Sequence, residues 1–109
     1  MAITSTQSKA PASVANVAFG RYLDDGTAAA FTITTGFKPR YVKVVNNTSR
    51  DWYEWFEGMA DASAHKTVAA GTGTAITTLG ITVSASGFTV GLDLDVNVSN
   101  EQLSWMAIG

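Results

Sequence analysis

Few residues in this chain could do chemistry. His65 is the only histidine, and there is no cysteine. A general base needs a nucleophile or an orienting partner beside it. His65 sits in a polar stretch of small residues and reads more simply as a solvated loop side chain. Without thiols, disulfides and thiolate metal sites are excluded, and a nucleophilic triad is hard to assemble. Asp93-Leu94-Asp95-Val96-Asn97-Val98-Ser99 begins like a calcium loop, with oxygen ligands at alternate positions. The match then fails, because Val98 stands where the loop requires Gly and Ser104 where it requires a bidentate Glu. What remains is a weak cation site, if Asp93 and Asp95 share one strand face.

Three other patterns invite a chemical reading. Gly71-Thr72-Gly73-Thr74 is glycine-rich, but neither a lysine nor a helix follows it, so it lacks the parts of a phosphate loop. Asn46-Asn47-Thr48, Asn47-Thr48-Ser49 and Asn97-Val98-Ser99 match the glycosylation acceptor pattern, and their residue types equally suit turns. Asp51, Glu54 and Glu57 could supply paired carboxylates for glycoside chemistry, with Trp52, Tyr53, Trp55 and Phe56 as a sugar platform. Mixed acidic and aromatic strands are also common in cores and interfaces. No catalytic, cofactor or metal site assembles from these residues, and the expectation is a protein that is not an enzyme and needs no cofactor.

The composition points to assembly instead. Of 109 residues, 46% are hydrophobic and only 15% charged, against a usual charged fraction of about 25%. A surface so short of charge is suited to burial against partners. The seven Lys and Arg are scattered and the formal net charge is -2, so there is no basic stripe for nucleic acid. No apolar run approaches a membrane span. The length suits one domain with one core.

The elements that would position these residues are strands. The central one is Tyr41–Val45, opened by Gly36 and Pro39 and closed by Asn46, Asn47, Thr48 and Ser49. Its β-branched and aromatic side chains suit a pleated surface. Phe31 and Ile33 alternate with Thr32 and Thr34 as a preceding strand, expected to pair with it. Val14, Val17 and Phe19 mark a weak first strand, and Asp24-Asp25-Gly26 a turn. Around Asp51–Glu57, Trp52, Trp55, Phe56 and Met59 sit at helical spacing. Aromatic density, the preceding turn and the stop at Gly58 nevertheless favour a short strand, with Tyr53 and Trp55 on one face and Trp52 and Phe56 on the other. Both faces are apolar, so one packs on the core and the other needs a cover. Residues 60–74 read as a long loop with an extended piece near Thr67–Ala69. A short strand from Ile76 is turned by Leu79-Gly80, and 81–84 and 88–91 form a hairpin. From Phe88 to Ser99 apolar and polar residues alternate strictly, which predicts one long strand or two with a bend near Gly91. Leu103–Ile108 is the last strand.

The expected fold is therefore all-β: one antiparallel β-sandwich or jelly-roll-like domain over residues 14–109. Residues 1–13, small and polar with Pro11, are expected to form an extended arm. They lack the apolar centre of a secretory leader. The candidate interface residues are Trp52, Tyr53, Trp55 and Phe56, with Pro11 and Val14 at the arm.

Several of these stretches together resemble small all-β virion proteins of tailed bacteriophages. They are Gly36-Phe37-Lys38-Pro39-Arg40-Tyr41-Val42, Trp52-Tyr53-Glu54-Trp55-Phe56-Glu57-Gly58-Met59, Gly80-Ile81-Thr82, Gly87-Phe88-Thr89-Val90-Gly91 and Trp105-Met106-Ala107-Ile108-Gly109. The resemblance covers residues 30–109 and is carried by structural motifs. It implies a capsid decoration or cement protein made in the host cytoplasm. Such a protein would be a homotrimer on the outer shell that binds the major capsid protein and stabilises neighbouring capsomers. A receptor- or glycan-binding module of a head or tail fibre, collar or baseplate is the alternative.

Overall fold

The computed structural model describes residues 16–23 and 29–109. Their eight strands are β1 (Val17–Leu23), β2 (Phe31–Thr34), β3 (Tyr41–Asn46), β4 (Trp52–Phe56), β5 (Ser63–Thr67), β6 (Gly73–Ser84), β7 (Gly87–Val90) and β8 (Gln102–Ile108). All pairings are antiparallel, in the order β1-β8-β3-β4-β5-β6-β7-β2. The all-β expectation holds, but these strands form one curled sheet, a half-barrel, rather than the two stacked sheets of a sandwich or jelly roll. The arm expected at residues 1–13, with Pro11 and Val14, and the Asp24–Gly26 turn lie outside the described residues.

Alternation decides which face of the sheet is buried. In β3 the side chains of Val42, Val44 and Asn46 are buried, while Tyr41, Lys43 and Val45 are half-exposed. In β4 Tyr53 and Trp55 join the buried set. With Ile33, Ala64, Ile81, Phe88, Val90, Val96, Leu103 and Ala107 they form one core on the concave side. The Tyr53 hydroxyl reaches across the core and donates to the Leu79 carbonyl at 2.9 Å. Tyr22 of β1 stacks on Phe31 of β2, with centroids 4.2 Å apart, and draws the two outer strands towards each other. Gly20 makes room for a further ring, because a Cβ there would lie 2.4 Å from Trp105, which itself meets Phe88 edge-on. Gly20→Ala is expected to cost about 1–3 kcal/mol by displacing that ring. A lowered denaturant midpoint with altered tryptophan fluorescence is the readout.

Several expectations are corrected by the pairing. β2 pairs with β7, not with β3, whose neighbours are β8 and β4. Residues 60–74 are not one long loop: Ser63–Thr67 is β5, and His65 lies exposed on that strand. Leu79-Gly80 does not end a strand. It belongs to a bulge in β6, where the pairing jumps from Ser63↔Ile81 to Ala64↔Ile76 and Leu79 takes φ 61°. A bulge absorbs unpaired residues without ending the ladder. The 81–84 and 88–91 hairpin is present as β6–β7, joined through Ser84↔Gly87.

The strict alternation after Val90 is not a strand either. Residues 91–101 form a looped cover, with Val96 and Asn97 buried and Leu94 exposed. Local hydrogen bonds outweigh the period-two pattern there. Asp93 Oδ1 accepts from the Asp95 N–H at 2.9 Å, and the Asp93 carbonyl accepts from the Asn97 N–H at 2.8 Å. Asp and Asn side chains compete with sheet ladders in this way. Asn97 Nδ2 then donates to the carbonyls of Ala29 and Gly91, which fixes the loop across the mouth of the half-barrel.

Candidate functional site

The sheet's outer face is where large apolar side chains meet solvent. Register across β1, β8, β3 and β4 lines its residues up in three rows. Val17, Ile108, Tyr41 and Phe56 form one, Phe19, Met106, Lys43 and Glu54 the second, and Arg21, Ser104, Val45 and Trp52 the third. All twelve have the parity opposite to the core, because successive side chains of a strand alternate faces. Phe19 is 73% exposed and Phe56 53%. Eight of the twelve are apolar or aromatic, on a face that water would normally claim. Contiguous apolar patches of this kind mark interaction sites.

Cross-strand contacts hold the face in one arrangement. Tyr41 and Phe56 meet edge-to-face with centroids 5.0 Å apart. The Tyr41 hydroxyl donates to Glu54 Oε2 at 2.8 Å. Burial first, then that bond and the Glu54 charge, push the phenol up to about 12. Lys43 Nζ sits 5.5 Å from the centre of the Trp52 ring, within cation–π range. The Trp52 indole N–H is buried and has no hydrogen-bond partner in the structure. Between β1, β8 and β3 lies a groove of about 170 Å³, lined by Phe19, Lys43, Val45, Ser104, Trp105 and Met106. A second hollow, of about 270 Å³, is lined in part by Lys38, Trp55, Glu57 and Asp61 near the end of β4.

The four aromatics of β4 divide between the two faces. Trp52 and Phe56 belong to the outer face. Tyr53 and Trp55, also expected as interface residues, are corrected: they are buried in the chain's own core, at 0% and 5% exposure. The outward residues of β1, β3 and β8, above all Phe19, Lys43, Val45 and Met106, escaped the sequence reading. Each is ordinary alone, and only strand register collects them. Their signal was parity: Met106 is out of phase with the inward Leu103–Ala107 set, as Lys43 and Val45 are with Val42 and Val44.

No family model, curated protein or solved structure matches this chain.

The other chemical candidates take structural roles. Asp93 and Asp95 do not share a strand face; they flank the turn in the 91–101 loop. Lys66 Nζ bridges them, 3.1 Å from Asp93 Oδ2 and 2.8 Å from Asp95 Oδ2. The ammonium thus occupies the place between the carboxylates where a cation would sit. Among the described residues no cluster of three or more His, Asp or Glu is arranged to hold a metal. Asp51 is buried and accepts from the Ala69 N–H, whereas Glu54 faces outward to Tyr41. Asp51 and Glu57, six positions apart along extended chain, are roughly 20 Å from each other, too far for a glycosidase pair. Asn46 and Asn97 are buried, so two of the three glycosylation patterns present no accessible amide. Gly71 is a turn residue with φ 92°, leading into β6.

Proposed function

We propose that this chain is a non-enzymatic structural protein of a phage virion, a decoration or cement protein that binds the outer capsid surface through its outer sheet face. The observation that carries the reading is that face: an ordered patch across four strands with Phe19 and Phe56 largely exposed. The low charged fraction supports it, because interface cores are depleted of charge and enriched in aromatics and Met. The phage resemblance supplies the partner, since its motifs coincide with the turn into β3, all of β4 and the end of β8. In this reading the protein is a homotrimer that contacts the major capsid protein and steadies adjacent capsomers, with no nucleic-acid or membrane partner.

A glycan-binding role on a fibre, collar or baseplate is the second reading. It is favoured by the partnerless Trp52 indole N–H beside Lys43, with Phe56 and Glu54 on the same face.

Two measurements separate the readings. Light scattering of the purified chain is expected to give a trimer, and sedimentation with undecorated capsids is expected to show saturable binding. Phe56→Ser is expected to weaken capsid binding about tenfold or more, as loss of an aromatic anchor does. Its melting temperature should fall only slightly, because the ring is half in solvent. A monomer that ignores capsids but binds oligosaccharides through Trp52 would establish the second reading instead.

A further inference from the structure

We propose that Leu94 of one copy seats in the outer-face groove of the next, joining copies head to tail. The inference rests on the assembly reading above and assigns the Phe19 end of the outer face to the contact between copies, leaving the Phe56 end for the capsid. Leu94 is 74% exposed, the most exposed large apolar side chain among the described residues. It is not on a loose tip. Lys66 bridges the carboxylates on either side of it. The Ser49 hydroxyl donates to the Asp95 carbonyl, and Val96 and Asn97 anchor the next positions in the core. A leucine presented on a turn already fixed loses little conformational freedom on binding, which is how an anchor residue gains affinity.

The groove has the complementary character. At about 170 Å³ it compares with the roughly 150 Å³ apolar cavity that accepts a benzene ring, so one leucine side chain fits. Phe19, Val45 and Met106 supply apolar walls, and Lys43, which lies over Trp52 with Glu54 as its cross-strand neighbour, supplies a positive charge at the groove's β3 side. The Leu94 turn carries the opposite sign, with two carboxylates against the single Lys66 ammonium. The Asp95 side chain is 54% exposed and so accessible to a second cation. Seating Leu94 between Phe19 and Met106 brings Asp95 towards Lys43, and opposite charges fix the register of such contacts. Leu94 lies on the loop across the half-barrel mouth and the groove on the outer face. The contact therefore joins two different patches, and contacts of that kind close into rings such as trimers when the rotation between copies closes, and otherwise run on as filaments.

The test uses two variants whose altered side chains are exposed, Leu94→Asp and Phe19→Glu. Circular dichroism and melting temperature should match the parent. Each variant alone is expected to lose the parent's oligomer in light scattering, with association weakened about tenfold or more. Mixed at equal concentration they should form a 1:1 dimer, because the Phe19→Glu chain keeps its leucine and the Leu94→Asp chain keeps its groove. If the parent assembles and Leu94→Asp assembles equally well, the groove has another occupant and this inference is lost while the assembly reading stands. A mixture that stays monomeric overturns head-to-tail joining. A parent that is itself monomeric overturns both readings.

Discussion

Asn46→Ala is expected to destabilise the fold by about 3–5 kcal/mol, most of the stability of a weak domain of this size. Asn46 is fully buried at the end of β3 and uses both ends of its amide. Oδ1 accepts from the backbone N–H groups of Thr48 and Ser49, at 2.8 and 2.9 Å, and so shapes the turn into β4. Nδ2 donates to the Val96 carbonyl at 2.8 Å and to Glu101 Oε1 at 2.9 Å, which ties the 91–101 loop to the sheet. Alanine leaves four polar partners without this amide; the Val96 bond is buried, and those to Thr48, Ser49 and Glu101 are part-buried. Unmet buried groups cost about 1–3 kcal/mol each, and partial relaxation holds the total below their sum. Asn46→Asp separates the two halves. It keeps the acceptor for the turn but places a carboxylate against Glu101 and the Val96 carbonyl, so it should be at least as destabilising at neutral pH. Urea denaturation of the three proteins measures this. A loss below about 1 kcal/mol for Asn46→Ala would show that turn and loop hold without the amide.

The same residue shows what was legible in the sequence. Asn46 was visible as a turn former, because Asn-Asn-Thr-Ser after a β-branched run is local chemistry. Its grip on Val96 and Glu101, some fifty residues away, was not visible. β3, β4 and β8 were readable because hydrophobic alternation and β-branched or aromatic content agreed within each stretch. The 91–101 loop misled for the converse reason. Leu92, Leu94, Val96 and Val98 keep strand parity, yet the Asp93 and Asn97 hydrogen bonds decide the backbone, and of those four only Val96 is fully buried. β2 is legible as a strand but its neighbour β7 is not, since pairing is decided by the whole sheet. The candidate site follows the same logic. Trp52 and Phe56 were detectable as aromatics in need of cover, whereas Phe19, Lys43, Val45 and Met106 become a groove only once β1, β8 and β3 lie side by side. A site defined by register has no motif.

The fold is also expected to lose stability steeply above pH 10. Tyr53 has its phenol pushed well above the ordinary 10, first by burial and then by the charges of Asp93 and Asp95. Lys66 is raised above its ordinary 10.5, chiefly by its hydrogen bond to Asp95, with burial opposing and Asp93 adding to the rise. Both shifts are upward, so both contributions are complete below the unfolded values and fade as pH climbs towards the folded ones. In the window above about 10.5 the unfolded chain has shed the phenolic proton that native Tyr53 retains, and Lys66 adds in the same direction. Stability should then fall by roughly 1.4 kcal/mol per pH unit from Tyr53, steepened by Lys66. Tyr41, at about 12, adds in the same direction, but its half-exposed setting makes that part small. Urea midpoints between pH 8 and 11.5 give the slope. Tyr53→Phe cannot release a phenolic proton, so its slope should be much shallower than the parent's. At pH 8 the variant should be weaker by about 1 kcal/mol for the lost bond to the Leu79 carbonyl. Lys66→Met should likewise lessen the slope, and it leaves Asp93, whose side chain is only 14% exposed, without its ammonium. Stability that stays flat to pH 11.5, or a Tyr53→Phe slope equal to the parent's, would mean that the buried phenol and the Lys66 bridge do not hold the loop over the core.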